Sequence, residues 1–314
     1  MYFGLPDDAL ALRDGLREVL VTACTPATIR AAWDGDPCDA LWKTLGEYGV
    51  LGLLVPEADG GLGLDELSLV AALEECGYAG VPGPLVETVI SAPLTGLPLD
   101  GSARTAVMRE LGPVAYLGLS THVLDITSPP TLADLSRCEV VTEPTVDRSR
   151  QIGDLHGVSD AASVSDAERD LLLARGTLGT AAFLLGLARR QLDITVAYAK
   201  DRKQFGVPIG SFQAIKHALA DAVVGTEFAW PAVLRAAHSL RTGDPQASVH
   251  VSMAKALASD ASYRMSRVCL QAHGAIGYTV EYDLHLFMKR TWALAQDWGS
   301  AADHRTKIAK ELLG

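Results

Sequence analysis

Residues 201–213 read DRKQFGVPIGSFQ. Two cations and an amide (Arg202, Lys203, Gln204) run into an aromatic ring and a glycine (Phe205, Gly206), and the stretch lies between long segments of apolar periodicity. Three polar heads in a row do not fit a core, and cations suit the carbonyl end of a helix. A solvated helix end therefore accounts for the cations alone. The rest of the stretch suggests more. A planar guanidinium matches phosphate oxygens two at a time. Phe205 offers a flat face to a ring system, Gly206 and Gly210 let backbone approach a ligand, and Gln213 both donates and accepts hydrogen bonds.

Working outward, three textures divide the chain, with boundaries set at 1–104, 105–158 and 159–314. The first part carries apolar residues at helical spacing, as in DALWKTLGEYGVLGLLV (39–55), interrupted by the glycines and prolines of 56–63 and 80–84. The second reads as a reduced β-rich middle region of roughly fifty residues. Its β-prone runs, such as Val114–Leu117 and Glu139–Thr142, alternate with Pro, Asp and Ser turns. The third is rich in alanine and leucine. Its longest element is expected to run from Asp166 through Gln204 as one helix, with Asp160 or Ser165 as N-cap. Two further long helices, about 211–242 and 245–275, and shorter ones after Tyr278 and Asp297 complete a four-helix bundle, with a kink at Pro231. The fold class is mainly α.

Composition bounds the function. The chain has 314 residues and a formal net charge of −11, so its overall field repels nucleic acid and anionic bilayers, which argues against both as partners. No run of about 18 uninterrupted apolar residues argues for a membrane span. The start, MYFGLPDDALALRDGL, has no basic region before an apolar block, unlike a secretory signal. The five cysteines are scattered, which fits a reduced, cytoplasmic setting and offers no zinc-ligand spacing.

The segment DRKQFGVPIGSFQAIKHALADA (201–222) resembles the signature of the acyl-CoA dehydrogenase family: Arg, two residues, Phe-Gly, an Ile three further on, Phe-Gln, then Leu-Ala-Asp. LGEYGVLGLLVPEADGGLGL (45–64) with LVAALEECGYAG (69–80) is similar to the family's N-terminal helical domain. MAKALASDAS (253–262) and LQAHGAIGYTVEYDLHLFMKR (270–290) are similar to its last long helix and the following turn. The resemblance implies FAD as cofactor, a CoA thioester as substrate, and a corner that reaches a neighbouring subunit's flavin. Arg202 would bind the pyrophosphate, with Gln204, Phe205 and Gln213 beside it. Gln271, Gly274 and Ala275 would approach the adenosine side, and Ser300 keeps the family's Gly-Thr theme. Ala275 stands where the family usually has a second glycine. His273, inside the same motif, reads as a hydrogen-bonded structural residue.

The reaction needs a base near the α carbon. The resemblance places that base before a Gly-Thr, some twenty residues beyond Gly277-Tyr278, where AQDWGSAADHR (295–305) has Trp298; Asp297 adjoins it. The family's second location, about seven turns before Arg202, falls on Gly176, with Arg175 and Thr177 as neighbours. Glu168 and Asp170 lie about two turns away. The middle region also lacks the family's Thr-Glu-Pro followed by Gly-Ser-Asp and is too short to enclose a flavin alone. The expected role is therefore a subunit that completes the flavin site of a second, unlike acyl-CoA dehydrogenase chain, as in short subunits of heteromeric (α2β2) bacterial enzymes of steroid breakdown. Two alternatives stand beside it: a self-sufficient enzyme with Asp297 as base, and a catalytically silent scaffold.

Overall fold

In the computed structural model, which describes residues 4–110, 112–127 and 129–314, the chain is mainly helical, with a five-stranded sheet and a two-stranded ribbon. Met1–Phe3, the start of the N-terminal stretch read above, lie outside the described residues. Five helices come first: α1 (Asp7–Ala23), α2 (Pro26–Trp33), α3 (Asp39–Glu47), α4 (Glu66–Ala79) and α5 (Leu85–Thr95). Strands β1 (Thr105–Met108), β2 (Val114–Ala115), β3 (His122–Asp125), β4 (Thr131–Glu143) and β5 (Ile152–Ala161) follow. The C-terminal part holds α6 (Asp166–Asp201), a hairpin of β6 (Lys203–Gln204) and β7 (Val207–Pro208), then α7 (Gln213–Arg241), α8 (Ala247–His273), α9 (Leu284–Gln296) and α10 (Ala301–Leu313). Two compact units are distinguished: Asp8–Ala72 with Val81–Gly176, and Leu73–Gly80 with Thr177–Gly314 and residues 4–7.

In the first unit the strands form one sheet in the order β1-β3-β4-β5-β2. β1 and β3 are parallel and the other pairings antiparallel. Ala106, Val114, Leu117, Val123 and Ala133 make its core. The sheet is richer than the two β-prone runs suggest, and one run breaks early. Tyr116 turns left-handed (φ 66°), its ring is buried under the Arg150 guanidinium, and Leu117–Leu119 form a 3₁₀ turn. Asp160 pairs with Leu132 within β5 instead of capping a helix. Ser165 takes that role: its hydroxyl accepts from the Glu168 N–H, while the Glu168 carboxylate accepts from the Ser165 N–H and O–H. The two satisfy each other's open groups as a capping box.

In the second unit α6 is the central element. Residues 177–188 are buried without exception, so although α6 as a whole is long and apolar enough to cross a membrane, 78% of its apolar window is covered by the protein itself. Its closest neighbour is the end of α4, and two glycines set the distance. A Cβ on Gly77 would stand 2.1 Å from the Phe183 carbonyl oxygen, and one on Gly186 would stand 1.9 Å from that of Glu74. Arg189 ties the crossing by pairing with Glu74 at 2.8 Å and Glu75 at 2.7 Å. Ala188, Ala222, Met265, Cys269 and Leu284 then join α6, α7, α8 and α9 in one core. α7 runs unbroken through Pro231; that residue is exposed, so water can serve the carbonyl that loses its donor. The extent of α6 corrects the sequence expectation. The helix ends at Asp201, and Lys203-Gln204 pair with Pro208-Val207 as a two-stranded ribbon.

Two outcomes follow from this packing. Gly186→Ala, which forces a methyl into a backbone oxygen, is expected to cost about 1–3 kcal/mol, read as a lower urea midpoint; an unchanged midpoint would show that the crossing has slack. The second concerns His304, whose Nε2–H donates to the Trp298 carbonyl at 2.9 Å. Burial pulls its pKa to about 4, below the roughly 6.5 of an unfolded chain. Between about 6.5 and 4 the unfolded chain takes up a proton that the folded chain refuses, so stability falls as pH falls through that window. His304→Gln keeps a donor that does not titrate. The gap between urea midpoints at pH 7 and pH 4.5 should shrink in that variant.

Candidate functional site

The hairpin after α6 is built at a cost to the fold. The Arg202 N–H still donates to the Tyr198 carbonyl at 2.8 Å, completing the last helical turn, and the Ile209 N–H donates to the Arg202 carbonyl at 2.8 Å. Between them Phe205 (φ 53°) and Gly206 (φ 83°) occupy the two central positions of the turn. Tight hairpins demand positive φ there, and Asn or Gly normally supplies it. A phenylalanine in that conformation costs about 1–2 kcal/mol. Its ring gains nothing by burial, being 93% exposed, with one edge toward Phe212 at 6.3 Å. Arg202, Lys203 and Gln204 are exposed as well. Unlike the paired arginines 175 and 189, Arg202 and Lys203 form no ion pair among the described residues. A strained ring and unpaired cations held outward are features that folding does not reward.

A second group gathers where α8 ends. Gln271 and Gly274 line a cavity of about 330 Å³ together with Ile215 and Leu219 of α7, Arg267 and Tyr278. Gly274 has φ 64° and ψ −141°, a conformation that glycine adopts without penalty, and the space where its Cβ would lie is open. Ala275 follows it, exposed, in a 3₁₀ turn. Gln213 opens α7 and is exposed. The structure therefore clusters Arg202, Gln204 and Phe205 on the hairpin, and Gln271 with Gly274 at the cavity. These groups fit the polyphosphate and aromatic parts of a dinucleotide: a guanidinium, a flat ring, a hole of nucleoside size and a backbone turn without side chains. All of them face outward, so they suit a cofactor seated mainly on another surface.

Ser300 differs from these. It caps α10, its hydroxyl accepting from the Asp303 N–H and donating to the Asp303 carboxylate. Beside it, the turn where a base was sought is closed. Trp298 is 5% exposed, with φ 54°. Asp297 is 3% exposed and accepts from the Trp298 N–H at 2.9 Å. Lys255, fully buried, donates to the Ala295 carbonyl at 3.3 Å and that of Gly299 at 2.9 Å. At the other location Arg175 is bound to Glu66, and Glu168 is spent on capping α6. His273 is a structural histidine by its contacts: its Nδ1–H donates to the Cys269 carbonyl at 2.8 Å, and burial lowers its pKa.

A larger cavity of about 690 Å³ lies in the first unit, among Asp39, Lys43, Glu47, Asp100 and Arg104. It holds none of the residues picked out from sequence. Its buried cation, Arg104, is bound to Asp39 and the Pro37 carbonyl, and its charges are mixed. Chemistry favours the smaller cavity of the second unit.

Comparison with known proteins gives concordant matches. The description "Acyl-CoA dehydrogenase, N-terminal domain" matches residues 6–99, and "Acyl-CoA dehydrogenase, C-terminal domain" matches 169–313. Acyl-CoA dehydrogenase IpdE2 of Mycolicibacterium smegmatis is 31% identical over 96% of this chain and 97% of its own. Among solved structures, the ChsE4–ChsE5 complex from Mycobacterium tuberculosis shares the fold with a TM-score of 0.86 at 22% identity, over 100% of this chain and 99% of the other. A variant of the Tcur3481–Tcur3483 steroid ACAD does so with a TM-score of 0.84 at 24% identity, over 99% of each chain.

The strain at residue 205 is measurable. Phe205→Asn should raise stability by about 1 kcal/mol by relieving the left-handed conformation at a site with little buried contact. A lower urea midpoint would mean that the ring supports the fold.

Proposed function

The chain belongs to the acyl-CoA dehydrogenase family, and from that premise we propose that it is the subunit of a FAD-dependent acyl-CoA dehydrogenase that completes the flavin site of an unlike partner. The family's enzymes are oxidoreductases acting on CH–CH bonds, and their cofactor is FAD. The observation that carries the reading is the outward grip: Arg202 unpaired and Phe205 strained and 93% exposed. Neither helps this chain fold, and both suit a pyrophosphate and a ring brought by a neighbour.

Bound FAD supplies the acceptor for the hydride that leaves the β carbon of the thioester. The proton at the α carbon needs a carboxylate within hydrogen-bond reach. In this chain Trp298 and Gly176 stand where that carboxylate is expected, and Asp297 is enclosed, so the partner provides the base. Arg202, with Gln204, Phe205 and Gln213, holds the diphosphate region. Gln271, Gly274 and Ala275 receive the adenosine side, and Ser300 acts beside them by fixing the start of α10. The substrate is a CoA thioester whose acyl group is steroid-derived. The steroid ACAD and the ChsE4–ChsE5 complex, both bearing two chain names, support a heteromer of α2β2 type for this chain too. The reading includes a cytoplasmic setting and keeps three domains, with boundaries after residues 104 and 158.

Expressed alone, the chain should be colourless; purified with an unlike acyl-CoA dehydrogenase chain, it should be yellow and desaturate the thioester. Arg202→Ala in that complex removes a charge-assisted phosphate contact and should lower flavin occupancy about tenfold or more. A yellow, active single chain would defeat the proposal, as would full flavin occupancy in the Arg202→Ala complex.

A further inference from the structure

The two outward groups leave the bundle at the ends of different helices, and three rings lie between those ends. Tyr198 sits one turn before Arg202, whose N–H it receives at its carbonyl. His273 immediately precedes Gly274 and lies two residues after Gln271. The Tyr198 and His273 rings are stacked, with centroids 4.3 Å apart and planes 19° from parallel. Tyr282, on the far side of the Gly274–Tyr278 turn, closes the group at 4.8 Å from His273 and 5.6 Å from Tyr198. It also packs on the core of Ala188, Met265 and Leu284.

We propose that Tyr198, His273 and Tyr282 are positioning residues: their stack fixes the distance between the Arg202–Phe205 hairpin and the Gln271–Gly274 turn, so that both meet one cofactor. The inference rests on the function proposed above. The imidazole can do little else. Nδ1 is spent on the Cys269 carbonyl; Nε2 is buried without a hydrogen-bond partner; the residue is 5% exposed. A group so enclosed cannot exchange protons with a substrate, and what remains is its flat face. The face is placed to matter: each corner is one short step of backbone from a stacked ring, so a displacement of either helix end moves its corner relative to the other.

The test uses the two-chain complex and three variants. His273→Leu keeps apolar volume but removes the plane; His273→Phe keeps the plane and discards both nitrogens. Flavin affinity should fall about tenfold in the first and return to within about threefold of the wild type in the second. Amide exchange in the chain alone gives a reading without cofactor. Tyr198→Leu on α6 should speed exchange across residues 274–278, which belong to the other corner. Equal losses in the Leu and Phe variants would overturn the inference, because the Cys269 hydrogen bond and not the stack would then be at work. So would unchanged exchange at 274–278. If Arg202→Ala itself spares the flavin, the parent reading fails; if Arg202→Ala strips it and His273→Leu does not, only the stack is refuted.

Discussion

Backbone meets backbone where α4 crosses α6, and the seating of α6 within the C-terminal unit depends on that contact. Gly77 and Gly186 each face a carbonyl oxygen of the opposite helix with no room for a methyl group. Because the approach is so close, the buried middle of α6 has one seating and not a range of them, and the Arg189 pairs with Glu74 and Glu75 hold its rotation. Dispersion contacts at such distances are many and fall off steeply with separation. From this fixed point α6 extends outward to Tyr198 and Asp201, and the hairpin leaves it in a defined direction.

The hairpin itself runs against the economy of the fold. Interior positions reward burial, and turns reward residues that accept positive φ; Phe205 satisfies neither. Sites that break local rules without compensation within the chain are where function, and not stability, shapes the residue. The same contrast separates the chain's arginines. Arg175 and Arg189 meet carboxylates, whereas Arg202 reaches into solvent. Trp298 also carries positive φ but is buried and enclosed. Its strain is met by packing and by the donors of Lys255 and His304 on neighbouring carbonyls. Trp298, like Tyr116, is held in, whereas Phe205 is held out.

Much of this architecture was legible in the amino-acid order, because long helices announce themselves by periodicity and the 201–222 signature is specific. The errors cluster where local chemistry competes with propensity. Lys203-Gln204 favours a helix taken alone, yet the following Phe-Gly pair imposes a turn, and sequence reasoning extended α6 through it. Ser300, placed after Gly299 in the family's Gly-Thr theme, also opens a Ser-x-x-Asp capping signal ahead of an amphipathic run, and that second reading was not drawn from the sequence. The pairing of β1 with β3 was missed because parallel neighbours share no hairpin to betray them. Nothing in the local sequence singles out Gly77 or Gly186; only the crossing reveals their purpose. Tyr198, His273 and Tyr282 lie up to 84 positions apart (282 − 198), and nothing short of the fold brings them together.

The distribution of strain, burial and charge argues for a division of labour between surfaces. A site that held its cofactor and performed proton transfer alone would need its carboxylate exposed to the reacting carbon. Here Asp297 lies in a closed turn and Glu168 serves a cap, while Asp170 is exposed on α6, about two turns from the expected position. The Trp298 N–H satisfies a carboxylate oxygen of Asp297 inside that turn, as a buried charge requires. In the function proposed above, the base is therefore left to the partner, and Arg202, exposed just beyond the end of α6, is the cation turned toward the partner's cofactor.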